Sequence, residues 1–364
     1  MKRSVWLALR RLPGLGQRRL AALLEHFGDA EGLFQADSTA WRAAGLNKSQ
    51  IQGLEKGPEA LLTAADAAWL GDPTNDLLTL ADDDYPPLLR QLPDAPPVLY
   101  LRGQRTLLSR PMLAIVGSRH ATPQGAANAQ AFARHLSEAG FNIVSGLATG
   151  IDAAAHRGAL EGSGATLAVM GTGPDCIYPR QHEQLAARIA ETGLILTDYP
   201  PGTPVRAALF PQRNRIISGL SMGVLVVEAA IRSGSLVTAR LAADQGREVF
   251  ALPGSIHNPL SRGPHHLIRQ GAKLVESVQD ILEELGHLHA FAATRPQRGP
   301  DSPEDAELAA LLEVLGYEPQ TLDVLVERSG LTPDRVSAML LTLELDAWIA
   351  SSPGGRYQRL PREA

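Results

Sequence analysis

The spacing of apolar positions changes character along the chain. Over residues 12–28, LPGLGQRRLAALLEHFG, a Gly-x-Gly turn leads into a run in which Leu20, Leu23, Leu24 and Phe27 recur at helical spacing. AAGLNKSQIQGL, residues 43–54, repeats the idea, so a helical domain is predicted over residues 1–75. A helix, glycine turn and helix can present free turn amides to a backbone phosphate, with Arg18 and Arg19 beside them. A small bundle that uses glycine only to turn explains the same residues.

From about residue 77 the pattern shortens to apolar runs of strand length. They are LAIVG (113–117), FNIVSG (141–146), TLAVMG (166–171), LILTDY (194–199), VLVVEAA (224–230), EVFALPG (248–254) and KLVES (273–277), mostly separated by helical stretches. Continuous rather than alternating hydrophobicity marks strands covered on both faces. This predicts an α/β domain over residues 76–286, a doubly wound, mostly parallel, Rossmann-like sheet. Pro, Gly and charge then gather in a linker, residues 287–303. Residues 304–364 give three short helical runs and a glycine turn between extended arms, the outline of a winged helix, with Thr332 as N-cap and Pro333 at the first position of the last helix. That helix sets Asp334, Glu344 and Asp346 against the single Arg335, a face suited to protein rather than to a phosphate-lined groove.

Composition narrows the function classes. At 364 residues with 44% hydrophobic content, the chain can bury more than one core without staples. The single cysteine, Cys176, cannot form an internal disulfide and fits a reducing cytosol. The N-terminal MKRSVWLALRRLPGLGQRR returns to charge too soon for a signal peptide, and no stretch approaches a membrane span. A net charge of −5 means that any polyanion must be met by a local basic patch.

In a doubly wound sheet, ligands sit beyond the carboxyl ends of the strands, so the loops directly after the strands carry the candidate chemistry. After LAIVG, Gly117 permits close backbone approach, Ser118 offers a hydroxyl and Arg119 a bidentate cation; the run is not G-x-G-x-x-G, so no dinucleotide cofactor is expected. After FNIVSG, Ser145, Gly146, Thr149 and Gly150 leave room for a ligand. Asp152 and His156, four apart on one helical face, read as a capping carboxylate paired with a histidine rather than as metal ligands. The stretch FPQRNRIISGL, residues 210–220, begins a helix with an aromatic, a proline and two arginines. Helical geometry sends Arg213 to the pocket and Arg215 elsewhere, to a second phosphate or a buried ion pair; Phe210 is positioned as a base platform and Asn214 lies between the arginines. Gly219 to Gly223 match G-x-S-x-G, but after a helix and before a strand, the reverse of a nucleophile elbow. The run Asp82, Asp83 and Asp84 reads as a solvated turn.

Taken in order, VGSRHAT, SGLATGIDAAAH, MGTGPDCIYP, FPQRNRIISGLS, VVEAAIRSGSLVTA and REVFALPG resemble the DprA/Smf family over essentially the whole central domain. The flanks agree with it: a SAM or helix-hairpin-helix-like N-terminal domain and a C-terminal winged helix. The resemblance implies a cytoplasmic, homodimeric, non-enzymatic protein that binds single-stranded DNA during natural transformation. It further implies that the protein shields the strand and loads RecA recombinase onto DNA covered by single-strand-binding protein. By motif, the implied DNA pocket includes Gly117, Ser118 and Arg119, then Phe210, Arg213, Asn214 and Arg215. The chain also resembles the lysine-decarboxylase-like phosphoribohydrolases in fold and arginine content. Their P-G-G-x-G-T run followed by glutamate is absent, however, and the comparable region reads EAAIRSGSLVTA with Glu228 before it.

Overall fold

The computed structural model describes residues 3–292, 306–316, 320–345, 348–352 and 355–359. Two compact units are present, Met1–Gly286 and His287–Ala364. The larger begins with six helices: α1 (Arg3–Arg11), α2 (Gln17–Phe27), α3 (Ala30–Gln35), α4 (Ser38–Ala43), α5 (Lys48–Glu55) and α6 (Ala64–Gly71). Short polar side chains start most of them: Asp29 caps α3, Asp37 caps α4, and Asn47 and Thr63 form capping boxes with Gln50 and Asp66. Gly16 precedes α2 and offers no side-chain cap.

Nine strands make one mixed sheet. They are β1 (Asn75–Thr79), β2 (Val98–Gly103), β3 (Met112–Val116), β4 (Asn142–Ser145), β5 (Thr166–Val169), β6 (Leu194–Thr197), β7 (Gly223–Val226), β8 (Glu248–Ala251) and β9 (Lys273–Leu274). The spatial order is β1-β2-β6-β5-β4-β3-β7-β8-β9. From β6 to β9 every pairing is parallel, whereas β1, β2 and β6 pair antiparallel. All seven apolar runs therefore supply a strand, and the two antiparallel strands are additions. The segment Val98–Gly103 reads on paper as a short apolar run after two prolines. Its strand identity comes from the partner β6, on the other side of the sequence from its neighbour β1.

Helices α7 (Pro87–Arg90), α8 (Pro123–Glu138), α9 (Ile151–Glu161), α10 (Glu183–Thr192), α11 (Leu209–Leu220), α12 (Gly234–Asp244), α13 (Arg262–Arg269) and α14 (Val278–Ala292) complete the unit's helical layers. Alternate residues of β3 serve the two faces: Ala114 and Val116 pack with Ile216, Leu220 and Leu236, while Leu113 and Ile115 pack with Phe132, Ile151 and Leu285. The N-terminal helices bury Trp6, Leu20, Trp41 and Trp69 in a core they share with Leu77, Val98 and Tyr100. Their apolar stripes are thus closed by the antiparallel edge of the sheet, with Trp69 edge-on to Tyr100 at 6.2 Å.

The aspartate run is not simply solvated. Arg105 reaches Asp82 at 3.2 Å, Asp84 at 2.5 Å and Asp76 at 3.2 Å, so the turn is held by a cation from the segment after β2. In the smaller unit, α15 (Ala306–Leu315), α16 (Leu322–Ser329) and α17 (Pro333–Leu345) surround a core of Leu312, Leu325, Val336 and Leu340. Strands β10 (Gln320–Thr321), β11 (Ile349–Ser352) and β12 (Arg356–Arg359) form a sheet of order β10-β12-β11, the expected winged helix. Arg335 is paired with Glu307 at 2.5 Å, so the cation on α17 is already neutralised. Of the expected linker, residues 287–292 continue α14 and residues 293–303 lie outside the described residues, as does Asp346.

The helical segment is tied to the sheet by a buried polar knot. Arg215 on α11 donates to Asp198 at 2.6 Å and lies 3.5 Å from Asp94; Gln17 donates to the same Asp198 oxygen at 2.6 Å and accepts from Arg215. Arg10 donates to the Asp198 carbonyl at 2.8 Å. Asp198 is only 2% exposed, so removing its cation strands a buried charge. Arg215→Met is expected to lower stability by about 3–5 kcal/mol, and Asp198→Asn combined with it by less than the sum of the two single changes. Urea unfolding of the three variants measures this, and additive losses would contradict it.

Candidate nucleic-acid interface

The sheet reverses its winding between β3 and β7, and there the loops after the two strands diverge to leave a crevice. A cavity of about 400 Å³ occupies it, walled by Gly117, Ser118 and Arg119 after β3, by Phe210, Arg213 and Asn214 on α11, and by Arg232 to Ser235 after β7. A smaller cavity of about 70 Å³ adjoins it, lined by Arg119, Gly146, Thr149, Tyr178, Pro179 and Phe210. Six of the nine sequence-predicted site residues therefore line the larger cavity, and Gly146 lines the smaller.

Each of these loops is held from below. Ser118 donates its amide to Glu228 O at 2.6 Å and accepts from His120 N at 3.1 Å, which fixes the turn that projects Arg119 outward. Gly117 is needed for packing as well as lining the cavity: a Cβ there would stand 2.6 Å from Ile151 Cγ1 and 2.8 Å from Glu228 O. The Arg119 guanidinium is exposed and lies over the Phe210 ring, 5.6 Å from its centroid. Phe210 is half-buried beside Tyr178, with ring centroids 5.5 Å apart, and its ring sits against Gly171, where a Cβ would meet it at 2.8 Å. Tyr178 itself remains 43% exposed, so the aromatic pair presents a face to solvent.

Arg213 is the strut beneath. It is 4% exposed and donates Nη1 to Gly146 O at 2.8 Å and to Val169 O, capping the carbonyl ends of β4 and β5. Burial pulls its pKa down to about 10, with the Asp152 charge opposing the shift, so it stays charged at neutral pH. Any side chain at Gly146 would collide with this guanidinium at 2.6 Å. The expectation of Arg213 as a direct phosphate clamp is thus qualified: Nη1 is spent on main-chain carbonyls, and Nε is buried without a hydrogen-bond partner. Arg215 takes the second of its two expected fates, the buried ion pair with Asp198, and faces away from the cavity. Ser145 is fully buried, its hydroxyl donating to Ile115 O at 2.7 Å, so it braces strands rather than facing a ligand.

Asp152 and His156 do not pair with each other either; each grips the loop after β4. Asp152 accepts from Gly146 N at 3.1 Å and Ala148 N at 3.3 Å, and burial raises its pKa against the pull of Arg213. His156 Nε2 accepts from Leu147 N at 3.3 Å while Nδ1 meets Thr166 Oγ1 at 2.7 Å, which in turn donates to Ile143 O. Burial, then the neighbouring His182 and Arg213, push the His156 pKa down to about 3, so the ring is neutral. His182 Nδ1 donates to Leu147 O at 2.8 Å. Leu147 is held at φ 59°, a left-handed conformation costly for a leucine, and these two histidines grip both its polar groups. Among the described residues no cluster of three or more His, Cys, Asp or Glu assembles as a metal site.

Glu228 points to the start of α8, not into the cavity. Its carboxylate accepts from Thr122 N at 2.9 Å and Thr122 Oγ1 at 2.6 Å, and Thr122 caps the helix in turn. The residues that sequence reasoning passed over are Tyr178 and the Arg232 to Ser235 run. Arg232 is exposed and without a carboxylate partner among the described residues, and Ser233 caps α12, whose amino end opens on the cavity. The signal for them was the same position after a strand that singled out Arg119.

Comparison with known proteins agrees with this architecture. A family model described as DNA recombination-mediator protein A matches residues 76–286, and one for the DprA winged helix domain matches residues 295–355. Protein Smf of Escherichia coli (strain K12) is 44% identical over 331 residues, covering 90% of this chain and 88% of that protein. DNA processing protein DprA of Streptococcus pneumoniae (strain R6) is 49% identical over 206 residues, 57% of this chain and 73% of that one. The X-ray structure of the Streptococcus pneumoniae protein superposes with a TM-score of 0.69 at 38% identity, over 78% of this chain and 99% of that chain. A structure of DNA processing protein A from Helicobacter pylori, described for its single-stranded DNA binding mode, gives 0.53 at 32% identity over 58% of this chain and 96% of that one. No described helix is long and apolar enough to cross a membrane. With a Rossmann-like sheet, a winged helix and relatives matched along most of their length, the chain belongs to the DprA/Smf family.

Proposed function

We propose that this chain binds single-stranded DNA across the carboxyl edge of the sheet, protecting the strand and presenting it to RecA recombinase in transformation and recombination. One observation carries the DNA reading: Arg119 is exposed at the switch point, has no carboxylate partner among the described residues, and lies over the ring of Phe210. A guanidinium for phosphate beside an aromatic face for a base is the pairing that a flexible single strand, rather than a stacked duplex, can use. Arg232, Asn214 and the amino end of α12 widen the basic, donor-rich wall, Gly117, Ser118 and Arg213 line the same cavity, Gly146 lines the smaller one, and Ser145 braces the strands beneath. The single-strand binding ascribed to the Helicobacter pylori relative supports the same reading. RecA, single-strand-binding protein, a homodimeric state and a cytoplasmic location belong to the proposal through family membership.

The role is one of binding rather than turnover, and no cofactor or metal is invoked. In the alternative, a nucleotide phosphoribohydrolase, Glu228 would act on substrate; here its carboxylate is engaged in capping α8 through Thr122.

Arg119→Ala should weaken single-strand binding by about 1–3 kcal/mol and make the log-log salt slope shallower by about 0.7. Phe210→Ala should cost about 1–3 kcal/mol with the slope nearly fixed. Filter-binding titrations across a salt series, with thermal melts of each variant, separate these effects. Wild-type affinity and slope in a folded Arg119→Ala protein would overturn the site.

The loop after β4 adds a pH dependence. His156 is neutral in the folded chain because its pKa falls from 6.5 to about 3, so acid protonates the unfolded state first. Its contribution to stability is therefore present above pH 6.5 and lost progressively as pH falls toward 3. Asp152, shifted upward, has the opposite sign. Urea midpoints should drop between pH 7 and pH 5 (roughly the window above carboxylate titration) more steeply in the wild type than in His156→Gln. Equal slopes would contradict this strut.

A further inference from the structure

The largest cleft beside α11 is not the one at the switch point. A groove of about 740 Å³ runs between the turn that starts α2 and the first turn of α11, with Gly16, Arg18 and Arg19 on one wall and Tyr199, Pro211 and Gln212 on the other. Pro211 also lines the 400 Å³ cavity, so the two openings lie on either side of a single helical turn. Phe210, at the mouth of the first, precedes Pro211 in the chain and is directed to the other side.

The α2 wall has the properties of an anion site. Gly16 gives no side-chain cap, so the first amides of an 11-residue helix open on the groove without a side-chain acceptor. Arg18 is exposed and has no carboxylate partner among the described residues. Arg19 donates one N–H to Gly45 O, which fixes its position over the second hairpin turn while leaving its other donors. Gln50 ties the two turns together by donating to Pro13 O at 3.0 Å. Two carboxylates, Asp94 and Asp198, also line the groove and share Arg215, at 3.5 and 2.6 Å. Arg10, Arg18 and Arg19 line it as well, so four cations stand against two carboxylates and the groove is net positive.

We propose that this groove is a second phosphate-binding station, over which a single strand leaving the Phe210 cavity crosses Pro211 and continues onto the α2 hairpin. The proposal rests on the single-strand reading of the first cavity and extends it to the N-terminal helices.

The test compares oligothymidylates of roughly 5 and roughly 20 nucleotides, bracketing the ~4–16 nucleotides over which single-strand grooves track a backbone. Arg18→Glu and Arg19→Glu, each checked by a thermal melt, are titrated beside wild type and Arg119→Ala. A slope of about −0.7 per phosphate corresponds to roughly fivefold in affinity at ~0.1 M salt relative to 1 M. The long oligonucleotide should therefore bind Arg18→Glu at least about fivefold more weakly, with a slope shallower by about 0.7, while the short one is unaffected. Arg119→Ala should weaken both lengths. Unchanged long-oligonucleotide affinity in folded Arg18→Glu and Arg19→Glu, with Arg119→Ala still impaired, overturns the second station alone. An equal loss on the short oligonucleotide overturns the path from cavity to hairpin, and wild-type affinity in all three variants overturns both sites.

Discussion

A guanidinium buried at the carboxyl ends of a parallel sheet must be met there by oxygen, and Arg213 meets it with the carbonyls of Gly146 and Val169. Leaving a buried charge without partners costs far more than a hydrogen bond contributes. The loop after β4 is therefore obliged to turn the Gly146 carbonyl inward, and Leu147 after it is buried in the core. Asp152, His156 and His182 complete that constraint by holding the amides and carbonyl of residues 146–148, including a leucine in a left-handed conformation. On this floor the exposed Arg119 and Tyr178 stand against the half-buried ring of Phe210. Such preorganisation reduces the ordering cost that a flexible polymer ligand would otherwise impose on its receptor.

Much of this was readable in the chain. The seven continuous apolar runs each became a strand because burial on both faces leaves no room for a polar alternate position. The rule that ligands gather beyond strand ends selected Gly117, Ser118, Arg119, Phe210, Arg213 and Asn214, and all six line one cavity. Helical geometry separated Arg213 from Arg215, and Arg215 is found in a buried ion pair.

What could not be read was partnership. Nothing local in VLYLRG specifies β6 as its neighbour, so the antiparallel edge escaped notice, and with it the surface against which the N-terminal helices pack. The roles of Arg213, Ser145 and Asp152 depended on which main-chain groups would arrive beside them from distant strands. A polar residue in a glycine-rich loop looks the same in sequence whether its donors face a ligand or a carbonyl. Glu228 shows the converse, since a carboxylate at the end of a strand has the position of a catalytic group and here serves as a helix cap. Arg232 was legible by the same rule as Arg119, since it too stands in a loop that follows a strand.

The charge distribution explains how an acidic chain can hold a polyanion. The net charge of −5 is unevenly placed, and guanidinium groups of Arg18 and Arg19 at one cleft beside α11 and of Arg119 and Arg232 at the other have no carboxylate partner among the described residues. The winged helix, whose Arg335 is paired with Glu307, lacks such a concentration on α17. The most direct measurement is photocrosslinking of a single-stranded oligonucleotide carrying 5-iodouracil, followed by peptide mapping by mass spectrometry. Crosslinks to Tyr178 and Phe210 are predicted, because these rings face the smaller cavity under Arg119. Crosslinks confined to residues 306–359, with none to the loops at the carboxyl edge of the sheet, would contradict it.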